Sequence, residues 1–320
     1  MRITRHPVLC NYYLTYRCNA ECSFCDIWEK PSPYVTLENA THNLQDLKRL
    51  GVQVIDFTGG EPLLHPELPQ LMQLAKELGF ITTVTTNALL YPKRGEALRG
   101  LVDMLHFSVD AATAEKHDAS RGVACFEFVL RSLDLAAEWG ERPDLLFTVT
   151  NDNLGELEPL YENLARPRGL MLLLNPIFRY AGVGEELHPR HFTTLRLWAQ
   201  KPNVYLNEAF LQLREAGGNH TLDPVCLAAS TTLVITPENA LRLPCYHLGK
   251  QDFPIHNNLY ELYHQPQVAA LRAMEGRLPE CEGCTINCYM QPSFATRLDS
   301  YFLQALPSTL KYSFEKWVYA

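Results

Sequence analysis

No run of apolar residues in this sequence comes near the roughly 20 that cross a bilayer. The longest, LMLLL at 170–174, has the length of a strand. The start, MRITRHPVLCNYYLTY, has two arginines but no extended apolar core, so it does not read as a secretory signal. Positive charge is also short: 28 Lys and Arg against 36 Asp and Glu leave a net charge of −8. That argues against nucleic acid as the partner, because phosphate binding needs a basic face. Internal repeats and low-complexity segments are absent. These absences leave a folded chain with no transmembrane segment and an expected cytoplasmic address. Cytosolic thiols stay reduced, so the ten cysteines read as metal ligands rather than disulfides.

One more absence carries the argument. Cys18, Cys22 and Cys25 are spaced C-x3-C-x2-C in CNAECSFCDIW, with no fourth cysteine beside them. A structural zinc wants four ligands and would have to borrow one, with His6 a candidate. A cluster of four irons held by three thiolates keeps one iron open, and an open metal position is what catalytic sites retain. A second group comprises Cys226, Cys245, Cys281, Cys284 and Cys288. Cys10 and Cys125 stand alone and read as small buried apolar residues.

The first two-thirds alternates strand and helix signals. VLCNYYLTY, VQVIDF, FITTVTT, MLHFSV, LLFTVT and GLMLLL read as six strands. Helical spacing separates them, as in Leu37, Ala40, Leu44 and Leu47 after the N-cap candidate Thr36, stopped by Gly51. Such alternation implies a parallel sheet with right-handed crossovers, open or barrel-like, and six units fall short of the eight of a complete barrel. Ligands gather at the carboxyl ends of such strands, where the cysteine loop sits.

The loop, with Phe24 just before its third cysteine, resembles the radical S-adenosylmethionine (radical SAM) enzymes. That resemblance implies a partial (β/α)6 TIM-like barrel and a [4Fe-4S] cluster on Cys18, Cys22 and Cys25, whose open iron is chelated by the methionine part of SAM. It implies reductive cleavage of SAM to a 5′-deoxyadenosyl radical, and a flavodoxin- or ferredoxin-type electron donor. Gly59, Gly60 and Glu61, in FTGGEPLLHPEL after the second strand, resemble the motif that holds the methionine amine. Glycines leave backbone groups accessible there, and a carboxylate suits an ammonium. Thr86, Asn87, Ser108 and Asp110 end strands three and four and suit a ribose or carboxylate. Their alternative role is capping. Arg121, in EKHDASRG, offers a guanidinium fork to a carboxylate, while His117 and Asp118 read as structural. Thr148, Asn151 and Asn175, at the ends of strands five and six, are further candidates for the ribose and adenine. The likeness runs over 12–176 with its motifs in order.

From 217 the character changes. TTLVIT and ALRLPCY read as a hairpin, a helix follows near 259–274, and CEGCTINC closes the cysteine set. The layout resembles the Twitch and SPASM auxiliary-cluster domains. It implies a radical SAM core at 1–216 and a Twitch-like domain at 217–320 holding one auxiliary [4Fe-4S] cluster on four of the five cysteines. Four thiolates also satisfy zinc. Ala240 replaces an expected glycine, and the preceding Asn239 tolerates the left-handed turn. LPCYHLG also resembles adenosylhopane synthase-type enzymes. In the tail, 308–320, Leu310, Phe314 and Trp317 share a helical face, read as docked on the core or, alternatively, touching a membrane or covering substrate.

The substrate stays open between a small metabolite, a lipid and a peptide precursor. The auxiliary-domain likeness favours a peptide. The few residues before Cys10 leave no room for a leader-binding domain, which tilts the expectation toward a small metabolite or lipid. A two-cluster electron-transfer protein is the reading from another class.

Overall fold

The computed structural model describes residues 6–317. The first five residues of the start and 318–320 of the tail lie outside them. Six parallel strands form as the sequence dictates: β1 (Leu9–Thr15), β2 (Val54–Gly59), β3 (Ile81–Thr86), β4 (Met104–Ser108), β5 (Asp144–Val149) and β6 (Leu172–Pro176). They lie side by side in chain order and the sheet does not close. A short β7 (Val204–Tyr205) extends one edge beside β6.

The other edge was not foreseen. β8 (Thr232–Ile235) runs parallel to β1, with Leu9 opposite Thr232 and Tyr12 opposite Ile235. It turns into antiparallel β9 (Ala240–Leu243), which pairs with β10 (Gln251–Pro254). The hairpin read from TTLVIT and ALRLPCY is therefore a continuation of the main sheet. Asn239 makes its turn at φ +59 and anchors it, donating to the Ile255 carbonyl and accepting from Asn43 in the first helix.

Side chains alternate across the pleat. One face of each strand packs under the helices: Cys10, Tyr12, Ile55, Phe57, Val84, Leu105, Phe107, Leu145 and Phe147 are in that core. The helix Leu37–Arg49 shows how the sequence delivers its share. Thr36 caps it by accepting from the Asn39 amide, and Ala40, Leu44 and Leu47 face the sheet at helical spacing. The opposite face of the sheet points into the barrel and is polar, with Asn11, Asp56, Thr58, Thr83, Thr85, His106, Asp144 and Asn175 at the alternate positions.

The tail helix, Ser300–Trp317, docks with the face opposite to the one expected. Leu310, Phe314 and Trp317 are 60%, 50% and 58% exposed. The opposite face holds the helix, through Tyr301 and Ala305 in an apolar cluster and through polar contacts. Tyr312 donates to Asp144 (2.6 Å), Lys316 pairs with the same carboxylate (2.5 Å), and Lys311 donates to the carbonyls of Ala199, Lys201 and Val204. Apolar spacing alone cannot tell which face a partner covers when the barrel side offers a buried carboxylate.

Candidate functional site

A cavity of about 290 Å³ opens at the carboxyl ends of the strands. Cys18, Cys22 and Cys25 line it from the loop after β1. Backbone bonds tie this loop down: Glu21 donates to the Arg121 carbonyl, Ser23 to Ser120, and Cys25 to Cys22. Gly122 is needed beside it, because a Cβ there would meet the Glu21 carbonyl oxygen at 2.5 Å. Among the described residues all cysteines are free of disulfides. Donors face the sulfurs: Arg121 Nη1 lies 3.7 Å from the Cys22 sulfur and Asn87 Nδ2 lies 4.0 Å from that of Cys18. Three thiols with cationic and amide donors behind them suit a cluster of net negative charge. His6 precedes β1 and packs on Gly51, whereas the cysteine loop follows β1. Seven extended residues, about 23 Å, separate the two ends, which removes the zinc site that would borrow His6.

Gly59 and Gly60 line the cavity, and the structure gives their reason. A Cβ on either would lie 2.1–2.2 Å from a backbone oxygen of Thr15 or Arg17. The amides of Gly60 and Glu61 donate to those same oxygens. The motif thus welds β2 to the start of the cysteine loop. Glu61 is 1% exposed, and its carboxylate accepts from the Leu63 amide, the Thr86 hydroxyl (2.7 Å) and the Asn87 amide (2.9 Å). It braces β2 against β3 as well as facing the cavity.

Burial pushes the Glu61 carboxyl up to about 6, against the hydrogen bonds from Asn87, Thr86 and Leu63 that pull it down. The folded state therefore holds this proton more tightly than the unfolded chain. The group's contribution to stability is full below its ordinary value of 4.5 and is lost as pH rises through about 6. That loss amounts to about 2 kcal/mol. Glu61→Gln is expected to flatten stability across this window, read by denaturant unfolding on either side of it. An unchanged slope would locate the titration elsewhere.

Phe24, Thr86, Asn87 and Ser108 also line the cavity, as do Arg121, Thr148 and Asn175. Phe24 lies under the Arg121 guanidinium, 5.5 Å from its ring centre. Two candidates are placed elsewhere. Asp110 is 2% exposed and lies behind the lining, where it pairs with Arg121 Nε at 2.8 Å and accepts from Ser120 and the Thr148 amide. Its role is to aim Arg121. Asn151 turns away: its amide donates to the Glu186 carbonyl and its oxygen accepts from the His188 amide. A loop more than thirty residues later uses the side chain, a contact that local sequence cannot show. His117 and Asp118 take part in internal hydrogen bonds. His117 Nδ1 accepts from the Asp110 amide, burial lowers the ring to about 4, and Asp118 accepts from the amides of Cys125 and Phe126.

Sequence reasoning missed the aromatic side of the cavity. Tyr13 stacks on Tyr246 at 4.3 Å. Tyr180 donates to Asp26 and lies 4.4 Å from the His247 ring. Tyr246 and His247 directly follow Cys245, so the CYH stretch was the available signal.

The second cysteine group divides. Cys226, Cys245, Cys281 and Cys284 line a closed pocket of about 20 Å³. Burial, then the proximity of Cys284 and Cys245, raises the Cys226 thiol well above its ordinary value. Four thiols lining one pocket suit a fully ligated four-iron cluster, whose ligands stand farther apart than those of a single metal ion. Cys288, also counted among the auxiliary ligands, is not in this pocket but lines the large cavity with Cys18, Cys22 and Cys25. The pocket takes its cysteines from three segments, with Cys284 in the loop before the helix Asn287–Ala295, whereas Cys288 is on the helix and lines the barrel cavity.

Fold and site together define an open α/β barrel with a thiol-lined cofactor cavity at its strand ends and a four-thiol pocket beside it. The radical SAM superfamily model matches residues 12–164, just under half of the chain. It is 28% identical over 245 residues to the mycofactocin maturase MftC of Mycobacterium ulcerans, covering 72% of this chain and 66% of that one. It is 30% identical over 173 residues to an AdoMet-dependent heme synthase of Methanosarcina barkeri, covering 52% of this chain and 49% of that one. The chain thus spans about half to two thirds of these relatives' lengths. Streptococcus suis SuiB bound to S-adenosylmethionine shares the fold with a TM-score of 0.68 at 18% identity, over 93% of this chain and 78% of that one. No helix among the described residues is long and apolar enough to cross a membrane.

Proposed function

We propose that this protein is a radical SAM enzyme that acts on a polar substrate. The observation that carries the reading is the meeting of Cys18, Cys22 and Cys25 with Gly59–Glu61 and Arg121 in one cavity. A [4Fe-4S] cluster on the three thiolates, with SAM on its open iron, would supply a 5′-deoxyadenosyl radical. The chain's own residues do the rest. Arg121, held by Asp110, presents a cation to a carboxylate. Gly59 and Gly60 let the backbone approach closely. Phe178, Tyr180 and Trp28 wall the mouth against water. Cys226, Cys245, Cys281 and Cys284 would hold one auxiliary cluster.

Polarity of the barrel interior supports the substrate class. Thr58 and Thr85 face the cavity, above Asp56 and His106. Asp56 and His106 already have partners in Thr83 and Thr85, so what the lining offers a ligand's hydroxyls or amides is the remaining hydrogen-bonding capacity of these groups. A small polar metabolite therefore fits better than a lipid. A peptide maturase is the second reading, favoured by the similarity to mycofactocin maturase over 72% of the chain. An electron donor of the flavodoxin or ferredoxin type belongs to either.

Anaerobic reconstitution with iron, sulfide, SAM and dithionite is expected to yield 5′-deoxyadenosine and methionine. Metal-replete protein that leaves SAM intact would overturn the proposal. It would favour a two-cluster electron carrier.

A further inference from the structure

We propose that Cys288 is an active-site hydrogen-atom donor, not a cluster ligand. The inference deepens the radical SAM reading and rests on it. Five cysteines compete for the auxiliary site, but Cys226, Cys245, Cys281 and Cys284 complete it without help. Four protein ligands saturate a four-iron cluster. Cys288 instead shares the large cavity with the cysteine tripod.

Its position is fixed by its neighbours. Cys288 sits in the first turn of the helix Asn287–Ala295. Asn287 Nδ2 donates to Asn175 Oδ1 (2.8 Å) and to the Pro176 carbonyl (2.6 Å), pinning the turn to the end of β6. The Tyr289 hydroxyl accepts from the Tyr246 amide at 2.9 Å. Asn287 and Tyr289 are 4% and 2% exposed, whereas Cys288 between them is exposed, and the surface it shows lines the cavity. A thiol clamped on both sides and presented to a cofactor cavity is placed for contact with what binds there.

Chemistry follows from bond strength. An S–H bond is weaker than an aliphatic C–H bond, so a carbon radical takes hydrogen from a thiol downhill. The S–H bond of Cys288 breaks, a C–H bond forms on the substrate carbon, and the unpaired electron moves to sulfur. The thiyl is restored by one electron from the flavodoxin- or ferredoxin-type donor and one proton from solvent. Cys226, Cys245, Cys281 and Cys284 would hold a cluster that supplies one-electron chemistry. The reaction class is then one that ends in a new C–H bond, such as epimerisation or radical addition, rather than net oxidation.

The test needs no substrate. The full chain, reconstituted anaerobically, is given SAM and dithionite in D2O, and 5′-deoxyadenosine is examined by mass spectrometry. Exchange makes the thiol S–D, and the unproductive radical abstracts from it. Wild type is expected to give deuterated 5′-deoxyadenosine, and Cys288→Ser to lose the label, because an O–H bond is too strong to donate. Iron and sulfide are counted in parallel and should be unchanged in Cys288→Ser but fall by about half in Cys284→Ser. Iodoacetamide should alkylate Cys288 in the loaded protein, more slowly with SAM present. Equal label in both proteins, or iron lost from Cys288→Ser, overturns the inference. Absence of 5′-deoxyadenosine altogether overturns the radical SAM reading beneath it.

Discussion

Replacing Cys18, Cys22 and Cys25 together with alanine is expected to lower bound iron from about eight to about four per chain and to abolish 5′-deoxyadenosine formation. The expectation is this selective because the loop does not depend on its thiols for shape. Glu21 and Ser23 are tied to the backbone of Arg121 and Ser120, and Gly60 and Glu61 to that of Thr15 and Arg17. Cys226, Cys245, Cys281 and Cys284, the proposed auxiliary ligands, sit on other segments and line their own pocket. The reciprocal variant, with Cys226, Cys245, Cys281 and Cys284 replaced, should retain the other four irons. Iron unchanged in the triple variant would refute the assignment of the tripod.

Lys316→Met is expected to destabilise the protein by about 3–5 kcal/mol, because it takes the nearest cation from a buried carboxylate and leaves it only His106 and the Tyr312 hydroxyl. Asp144 is fully buried in the barrel floor, and Lys316 is 5% exposed. The Lys316 ammonium also donates to the Arg142 carbonyl. Burial alone would raise the Asp144 carboxyl, but His106 and Lys316 outweigh it and hold it below the ordinary range. A lowered acid stabilises the fold above its ordinary pKa and loses that contribution as pH falls through the folded value. The variant should therefore unfold several degrees lower at neutral pH and lose less on acidification than wild type. Leu310→Ala, on the exposed face of the same helix, should stay within about 0.5 kcal/mol of wild type. Equal losses in the two variants would show that the helix docks through its leucines after all.

What the sequence disclosed was local. Cysteine spacing, the double glycine with its glutamate, and strand ends in order placed most of the cavity, because each strand carries its own lining residue at a fixed offset from its helix. What it withheld depends on segments far apart meeting. Cys288 belongs to a C-x2-C-x3-C run on paper, yet Cys284 lies in the loop before the helix and Cys288 on the helix itself. Asn151 ends a strand as the others do, but a later loop claims its amide. Asp110 looks like a ligand contact and is a support for Arg121. The tail's leucines obey helical spacing, and the salt bridge that decides its facing is invisible until Asp144 is known to be buried.

The pairing of β8 with β1 has a consequence for synthesis. The first strand leaves the ribosome with one neighbour, β2, due within some fifty residues, and the other more than two hundred residues behind. Until Thr232–Ile235 emerge, the outer hydrogen-bonding rim of Leu9–Thr15 is bare, an invitation to pair with another nascent chain. Iron delivered to the tripod during that interval would meet a half-walled basin open to oxygen, so insertion of the metal is best timed after the last third of the polypeptide has sealed the rim.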